Sequence, residues 1–233
     1  MPKKEAISDC INCPIRSVSI FAGFTLDEIR GLSFPVHTVC YAPGEVFYHE
    51  GVTPQAAFTI KSGVIKLTKE LSNGRNQIVR LLTTGDIFGF EGLMDTRYHH
   101  TAIALNEAHV CRLSLADLIA VCRENPHVNE AILHRWAQAL KQTEDLLVEL
   151  GTKKANERLA SFILTWCEHS GMDGWTPLPL TRQELAELLG LTVETVSRFL
   201  ADWKRKGILE EKHGTIRLNP SRNILSELAK TNS

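Results

Sequence analysis

Residues Thr181 to Gly207 read TRQELAELLGLTVETVSRFLADWKRKG, two short amphipathic helices meeting at a glycine. Thr181 and Glu184 have the S/T-x-x-E spacing of a capping box, in which side chains satisfy the free backbone groups at a helix start. Leu185, Ala186, Leu188 and Leu189 then share one helical face, and Gly190 closes the helix. Thr192 is placed to cap a second helix, in which Val193, Val196, Phe199, Leu200 and Trp203 recur at three- and four-residue steps. The other face of that helix is polar. It carries Glu194, Thr195, Ser197 and Arg198 in its first turns and Lys204, Arg205 and Lys206 near its end. Base-reading groups thus precede phosphate-seeking cations, the layout of a helix-turn-helix whose second helix enters a DNA groove. An ordinary helical hairpin with a solvated basic end has the same amphipathicity. The next segment, ILEEKHGTIRL (208–218), shifts the reading: His213 and Gly214 make a tight turn between two short strands, which is a wing.

The chain has 233 residues, 43% apolar and 23% charged, a globular composition long enough for two modest domains. Its net charge is −1, so affinity for nucleic acid has to come from a local patch, and the cluster from Arg198 to Lys206 supplies one. No stretch approaches the roughly 20 apolar residues of a membrane span. The N-terminus, MPKKEAISDC, has no apolar signal core, so a cytoplasmic protein without a membrane partner is expected. Six irregularly spaced cysteines argue against a secreted disulfide framework and turn attention to metal or redox chemistry.

Residues 35–115 hold seven strand candidates: VHTVCYA, EVFYHEG, AAFTIKSG, VIKLTKEL, QIVRLLTTG, TAIALNEA and HVCRLSL. With turn glycines at 44, 51, 63, 74 and 85, this spacing predicts an antiparallel β-barrel or jelly roll. From His127 to Gly151 there is no Pro or internal Gly. Ile132, Trp136, Ala139, Thr143, Leu146 and Leu150 step by four and three in turn, as the a/d seam of a coiled coil does. The alternative is a long helix covering its own domain. A parallel dimer helix is favoured because a helix-turn-helix reader needs two copies about one DNA turn apart. Gly151 to Asn156 reads as a hinge, Glu157 to Ser170 as a further helix, and GMDGWTPLP (171–179) as a loop before the capping box. The expected class is α+β, in three parts. Residues 1–126 form an N-terminal arm and β-barrel sensor domain, 127–151 a dimerisation helix, and 152–233 a winged helix-turn-helix.

This order and these motifs resemble the CRP/FNR family of bacterial transcription regulators over nearly the whole chain. KKANERLASFIL (153–164) and LGLTVETVSRFLADWKRKGIL (189–209) are similar to the FNR branch in particular. In that branch an E-x-x-S-R pattern reads the half-site, which here implies Glu194, Ser197 and Arg198, with Thr192, Thr195 and Lys204 completing the expected DNA-contacting set. The chemistry agrees: Arg donates bidentately to guanine O6 and N7, Glu accepts from cytosine N4, and Ser contacts either edge. The resemblance further implies an operator like TTGAT followed by ATCAA, a homodimer on double-stranded DNA, RNA polymerase as a partner, and a sensor of the cyclic-nucleotide-binding type.

In the CRP branch the barrel holds cyclic AMP, with a Glu on the ribose and an Arg and Ser on the phosphate. In the stretch GDIFGFEGLMDTRYHHTAIAL (85–105), Phe90, His100 and Thr101 fall at those places. A buried phosphate without a guanidinium loses its bidentate partner, so cyclic AMP is not the expected ligand. FNR proteins hold an oxygen-labile [4Fe–4S] cluster on three N-terminal cysteines spaced C-x2-C-x5-C and a fourth in the barrel. Cys10, Cys13 and Cys111 match three of these and Ser19 stands at the third position, where a hydroxyl is a poor soft-metal donor. Asp9, Cys40 or an exogenous ligand would then complete the cluster. Three alternatives stand beside it. They are a Cys10–Cys13 thiol switch near Arg16, haem sensing of NO or CO through His37, His49, His99 or His100, and a small organic effector. Cys40, Cys122, Cys167, Met94 and Trp136 read as packing residues. A sensor acting through protein contacts is the rival class. No catalytic constellation is visible, so no enzyme is expected.

Overall fold

Short strands separated by glycine turns build the N-terminal half of the computed structural model, which describes residues 5–31, 35–169, 174–219 and 225. The chain divides into two units, Met1–Lys141 and Gln142–Ser233. The first holds β1 (Glu5–Ile7), the short helix α1 (Leu26–Arg30), β2 (His37–Tyr41), β3 (Val46–Tyr48), β4 (Ala56–Ser62), β5 (Ile65–Glu70), β6 (Asn76–Leu82), β7 (Ile87–Phe88), β8 (Thr101–Ala104) and β9 (Ala108–Ser114). All seven expected strands are present; β1 and β7 are additions too short to carry a period. The strands pair antiparallel into two sheets, β1-β2-β9-β4-β7 and β3-β8-β5-β6. Alternate residues meet between the sheets, where Val39, Ile60, Ile65, Leu67, Leu82 and Val110 are buried with Phe58 and Phe88, a double-sheeted jelly roll.

A second core lies on the opposite face of the larger sheet. There Ile20, Phe21 and Phe24 of the N-terminal arm pack with Phe90, Leu113 and residues of two helices, α2 (Leu115–Glu124) and α3 (Pro126–Thr152). Ser114 caps α2 by accepting from the Asp117 amide (3.1 Å). Pro126 sits at the first position of α3, where a missing N–H costs nothing.

The expected seam along α3 divides. Ile132 is buried in its own chain's core and Trp136 packs against it, while Ala139, Leu146 and Leu150 are half-buried and Thr143 is exposed. Among the apolar residues left outside, Leu133, Leu140 and Leu147, 60%, 60% and 69% exposed, recur at seven-residue steps, with Val148, 61% exposed, beside the last. The period of four and three is the period of the side facing inward at the N-terminal end of the helix, where the second core claims the first two seam residues.

The expected hinge is only two residues long, because α4 (Ala155–His169) begins directly after Lys154. Lys153 donates to Glu149 Oε1 and Ser161 Oγ, both at 2.7 Å, and the Lys154 amide donates to Glu157 Oε2 (2.8 Å). Those bonds staple the joint that composition read as loose. The second unit continues with β10 (Thr176–Pro177), α5 (Arg182–Leu189), α6 (Val193–Arg205), β11 (Leu209–Lys212) and β12 (Thr215–Leu218). The segment read as a loop before the capping box therefore gives an edge strand to the sheet β10-β12-β11. Ser170 to Asp173, at the end of the expected helix and the start of that loop, lie outside the described residues.

Candidate nucleic-acid interface and sensor cavities

The reader is built from caps outward. Thr181 Oγ1 accepts from the Glu184 amide (3.2 Å) while Glu184 Oε2 accepts from the Thr181 amide (2.8 Å), the expected capping box. Gly190 ends α5 at φ 62°, in the left-handed region, and the Leu191 amide returns to the Ala186 carbonyl (3.0 Å). Thr192 starts α6 by accepting from the Thr195 amide (3.2 Å), with its hydroxyl 3.1 Å from that of Thr195. Both threonines are thus engaged in shaping the helix start. Val196, Leu200 and Trp203 are buried, which leaves Glu194 and Arg198 exposed and Ser197 half-exposed along one ridge. Hydrogen bonds from its own backbone N–H and from Thr192 hold the Glu194 carboxyl below its usual range, so it is an acceptor at neutral pH. The Arg198 guanidinium lies 5.5 Å from the Phe199 ring centroid.

The wing turn is tight as expected. His213 (φ 47°) and Gly214 (φ 74°) both occupy positive φ, the requirement of a two-residue type I′ hairpin. The cations at the end of α6 are placed differently from the sequence expectation. Lys204 Nζ lies 3.1 Å from Glu211 Oε2 on the wing, and Arg182 grips both Glu211 oxygens at 2.6 and 2.7 Å. Arg205 and Lys206 both pair with Asp202. Acids one turn or one strand away claim these cations, and Glu211 makes Lys204 a tie between α6 and the wing.

Burial pushes the Glu211 carboxyl up, but hydrogen bonds from Arg182 and Lys204 outweigh it and leave the group below the ordinary 4.5. A carboxylate with a depressed folded value contributes stability that is present above its unfolded value and lost as pH falls through the folded one. Wild type is therefore expected to lose stability relative to Glu211→Gln as pH drops below 4.5, with the unfolding free energies from urea titration converging in acid and differing by roughly 1 kcal/mol at pH 7. Parallel curves at every pH would refute the tie.

In the sensor unit, a cavity of about 60 Å³ is lined by Arg80, Asp86, Phe90, Glu91, His100, Arg135 and Trp136, among others. The sequence reading allowed no guanidinium here, and that is corrected: β6 and α3 supply two. Arg80 has the parity of the buried Ile78 and Leu82, so strand register was the signal that would have found it. The volume admits a few waters. Glu91 Oε1 is buried with no hydrogen-bonding partner among the described residues. Phe90 is buried in the second core. Burial lowers His100 to about 4, so it is neutral at physiological pH. His99 turns away to Asp95 (2.8 Å), and the two imidazoles do not converge. His37 is half-buried and His49 is exposed. Met94, read as packing, is exposed instead.

Cys10, Cys13 and Cys111 line one apolar cavity of about 20 Å³ with Ser19, Arg16 and Thr59. The three cysteines that the sequence spacing singled out thus share one cavity. Burial raises Cys10 and takes Cys111 to about 11, so both rest as thiols. None of the candidates for the missing ligand is placed to complete a cluster here. Ser19 Oγ donates to the Arg16 carbonyl (3.0 Å) and accepts from the Phe21 amide (3.1 Å). Asp9 accepts from the Ile11 and Asn12 amides, and Cys40 Sγ lies 4.0 Å from His109 Nε2, away from this cavity's lining. Three thiols and a committed hydroxyl do not make a closed four-thiolate site.

A jelly roll followed by a helix-turn-helix with a β-wing defines a class, the DNA-binding regulator with an N-terminal β domain. Residues 38–125 match the cyclic nucleotide-binding domain family and 157–222 the Crp-like helix-turn-helix domain. The chain is 32% identical to the nitrogen fixation regulation protein FixK of Bradyrhizobium diazoefficiens, over 91% of each chain. It is 29% identical to the fumarate and nitrate reduction regulatory protein of Yersinia pestis, covering 80% of this chain and 76% of that one. The solved structure of FixK2 from Bradyrhizobium japonicum superposes with a TM-score of 0.76 at 29% identity, covering 85% of this chain and 99% of that one. The chain belongs to the CRP/FNR family of transcription regulators and is a DNA-binding regulator of that type, not an enzyme. Among the described residues no helix is long and apolar enough to cross a membrane.

Proposed function

We propose that this regulator binds, as a homodimer, a palindrome resembling TTGAT/ATCAA, and that Glu194, Ser197 and Arg198 read each half-site. The observation that carries the reading is the exposed ridge these three residues form on α6, whose opposite face is buried and whose C-terminal end is tied to the wing. An acceptor, a hydroxyl and a bidentate donor at adjacent turns suit three neighbouring base edges. The dimer joins along α3 through Leu133, Leu140 and Leu147, exposed leucines that recur at seven-residue steps. RNA polymerase is the downstream partner.

The sensing input is redox state, acting at Cys10, Cys13 and Cys111. Their support is a shared cavity in the unit that also packs the start of α3. An effector moves the DNA-binding equilibrium only as far as it binds the two states unequally, and a change in the arm that packs beside α3 supplies such a difference. The test is an electrophoretic shift on the TTGAT/ATCAA duplex with anaerobic and air-exposed protein, alongside an absorbance spectrum and iron and sulfide analysis. A shift that scrambled DNA does not compete away supports the reader. Equal affinity in both redox states removes the sensing assignment and leaves the reader standing.

A further inference from the structure

Cys40 on β2 and His109 on β9 are direct cross-strand partners. Val39, Tyr41, Ala108 and Val110 point into the space between the sheets, so by alternation Cys40 and His109 occupy the opposite face. Glu107, two residues before His109, falls on that same face. His109 Nε2 lies 4.0 Å from Cys40 Sγ and 3.4 Å from Glu107 Oε1, and the three donor atoms all lie within 4.8 Å of one another. Among the described residues no other set of three Cys, His, Asp or Glu donors converges in this way. The backbone beneath is held firmly. The Val64 amide donates to Asn106 Oδ1 (2.7 Å) and the Leu105 amide to the Val64 carbonyl (2.8 Å). Gly63, at φ 99°, lets this turn press close, since a Cβ there would stand 2.7 Å from the Glu107 carbonyl and the Ala108 Cα.

We propose that Cys40, His109 and Glu107 bind a zinc-class divalent cation, with water as the fourth ligand. One thiolate, one imidazole and one carboxylate are together too soft for magnesium or calcium, and the carboxylate disfavours copper(I). The donors need to close by about an ångström for a tetrahedral ion. Glu107 and His109 side chains are 72% and 43% exposed, so they have the freedom to do so and the ion has an open path. The neighbouring cation, Lys61, is turned aside to Thr38 Oγ1 (3.2 Å). Binding displaces the Cys40 proton to solvent and staples β2 to β9.

The test titrates full-length, reduced protein with Co²⁺ as an optical probe, followed by competition with Zn²⁺. Wild type is expected to develop thiolate-to-cobalt absorption saturating at one ion per chain, and Zn²⁺ is expected to bleach it. The band persists in a Cys10→Ser, Cys13→Ser double variant and is absent from Cys40→Ser. In His109→Ala it requires on the order of tenfold more Co²⁺ or greater. Metal-free thermal melts of Cys40→Ser and His109→Ala that match wild type assign the losses to the ligands. Absorption surviving in Cys40→Ser, or lost in the double variant, overturns the site, and so does unchanged affinity in His109→Ala.

Discussion

Arg198→Ala is expected to weaken binding to a TTGAT/ATCAA duplex by about 1–3 kcal/mol per half-site and to erase the preference at one base pair. The guanidinium is exposed beside the Phe199 ring, and no carboxylate competes for it among the described ion pairs. Its donors are therefore available to a guanine edge without breaking an internal bond. Lys204→Ala makes the contrast. Its ammonium is held by Glu211, so removing it loosens the wing and weakens all sequences alike. Competition titrations against single-base operator variants separate the two. A uniform loss across all variants for Arg198→Ala would remove it from base reading and place it on the phosphates.

The second large effect lies in α3. Leu140→Glu is expected to turn a dimer into a monomer and to abolish cooperative operator binding. Full burial of a leucine is worth about 1.5–3 kcal/mol, and this one starts 60% exposed. Two copies per dimer then contribute roughly 2–4 kcal/mol, a thirtyfold to thousandfold change in dimer affinity before charge repulsion is added. Ile132→Glu differs in kind, because Ile132 is buried in its own chain's core and the change unfolds the sensor unit. Sedimentation equilibrium with thermal melting tells these outcomes apart. A fully dimeric Leu140→Glu would move the interface away from the leucine stripe.

Local chemistry was legible residue by residue. The capping box at Thr181 and Glu184, the glycine stop at Gly190, the His213-Gly214 turn and the seven strands with their glycine turns follow from steric and hydrogen-bonding preferences spanning two to eight residues. The exposed ridge on α6 was legible for the same reason: a helix places i, i+3 and i+4 together whatever surrounds it.

What the linear order could not convey was which partner claims a group once the chain has folded. Lys204 reads as a phosphate ligand until a strand carries Glu211 beside it, and it is register that turns Arg80 into a cavity. Ile132 and Trp136 belong to a coiled-coil seam by period and to the sensor core by packing. The sequence by itself determined the seven main strands with their glycine turns, the caps and helices of the reader, the family and the ridge on α6. Only the tertiary structure decided which charges are already paired, which apolar side of α3 is left over, and that Cys40 faces His109. Periodicity and capping are short-range properties of the backbone, whereas pairing and burial depend on residues tens of positions apart being brought into contact.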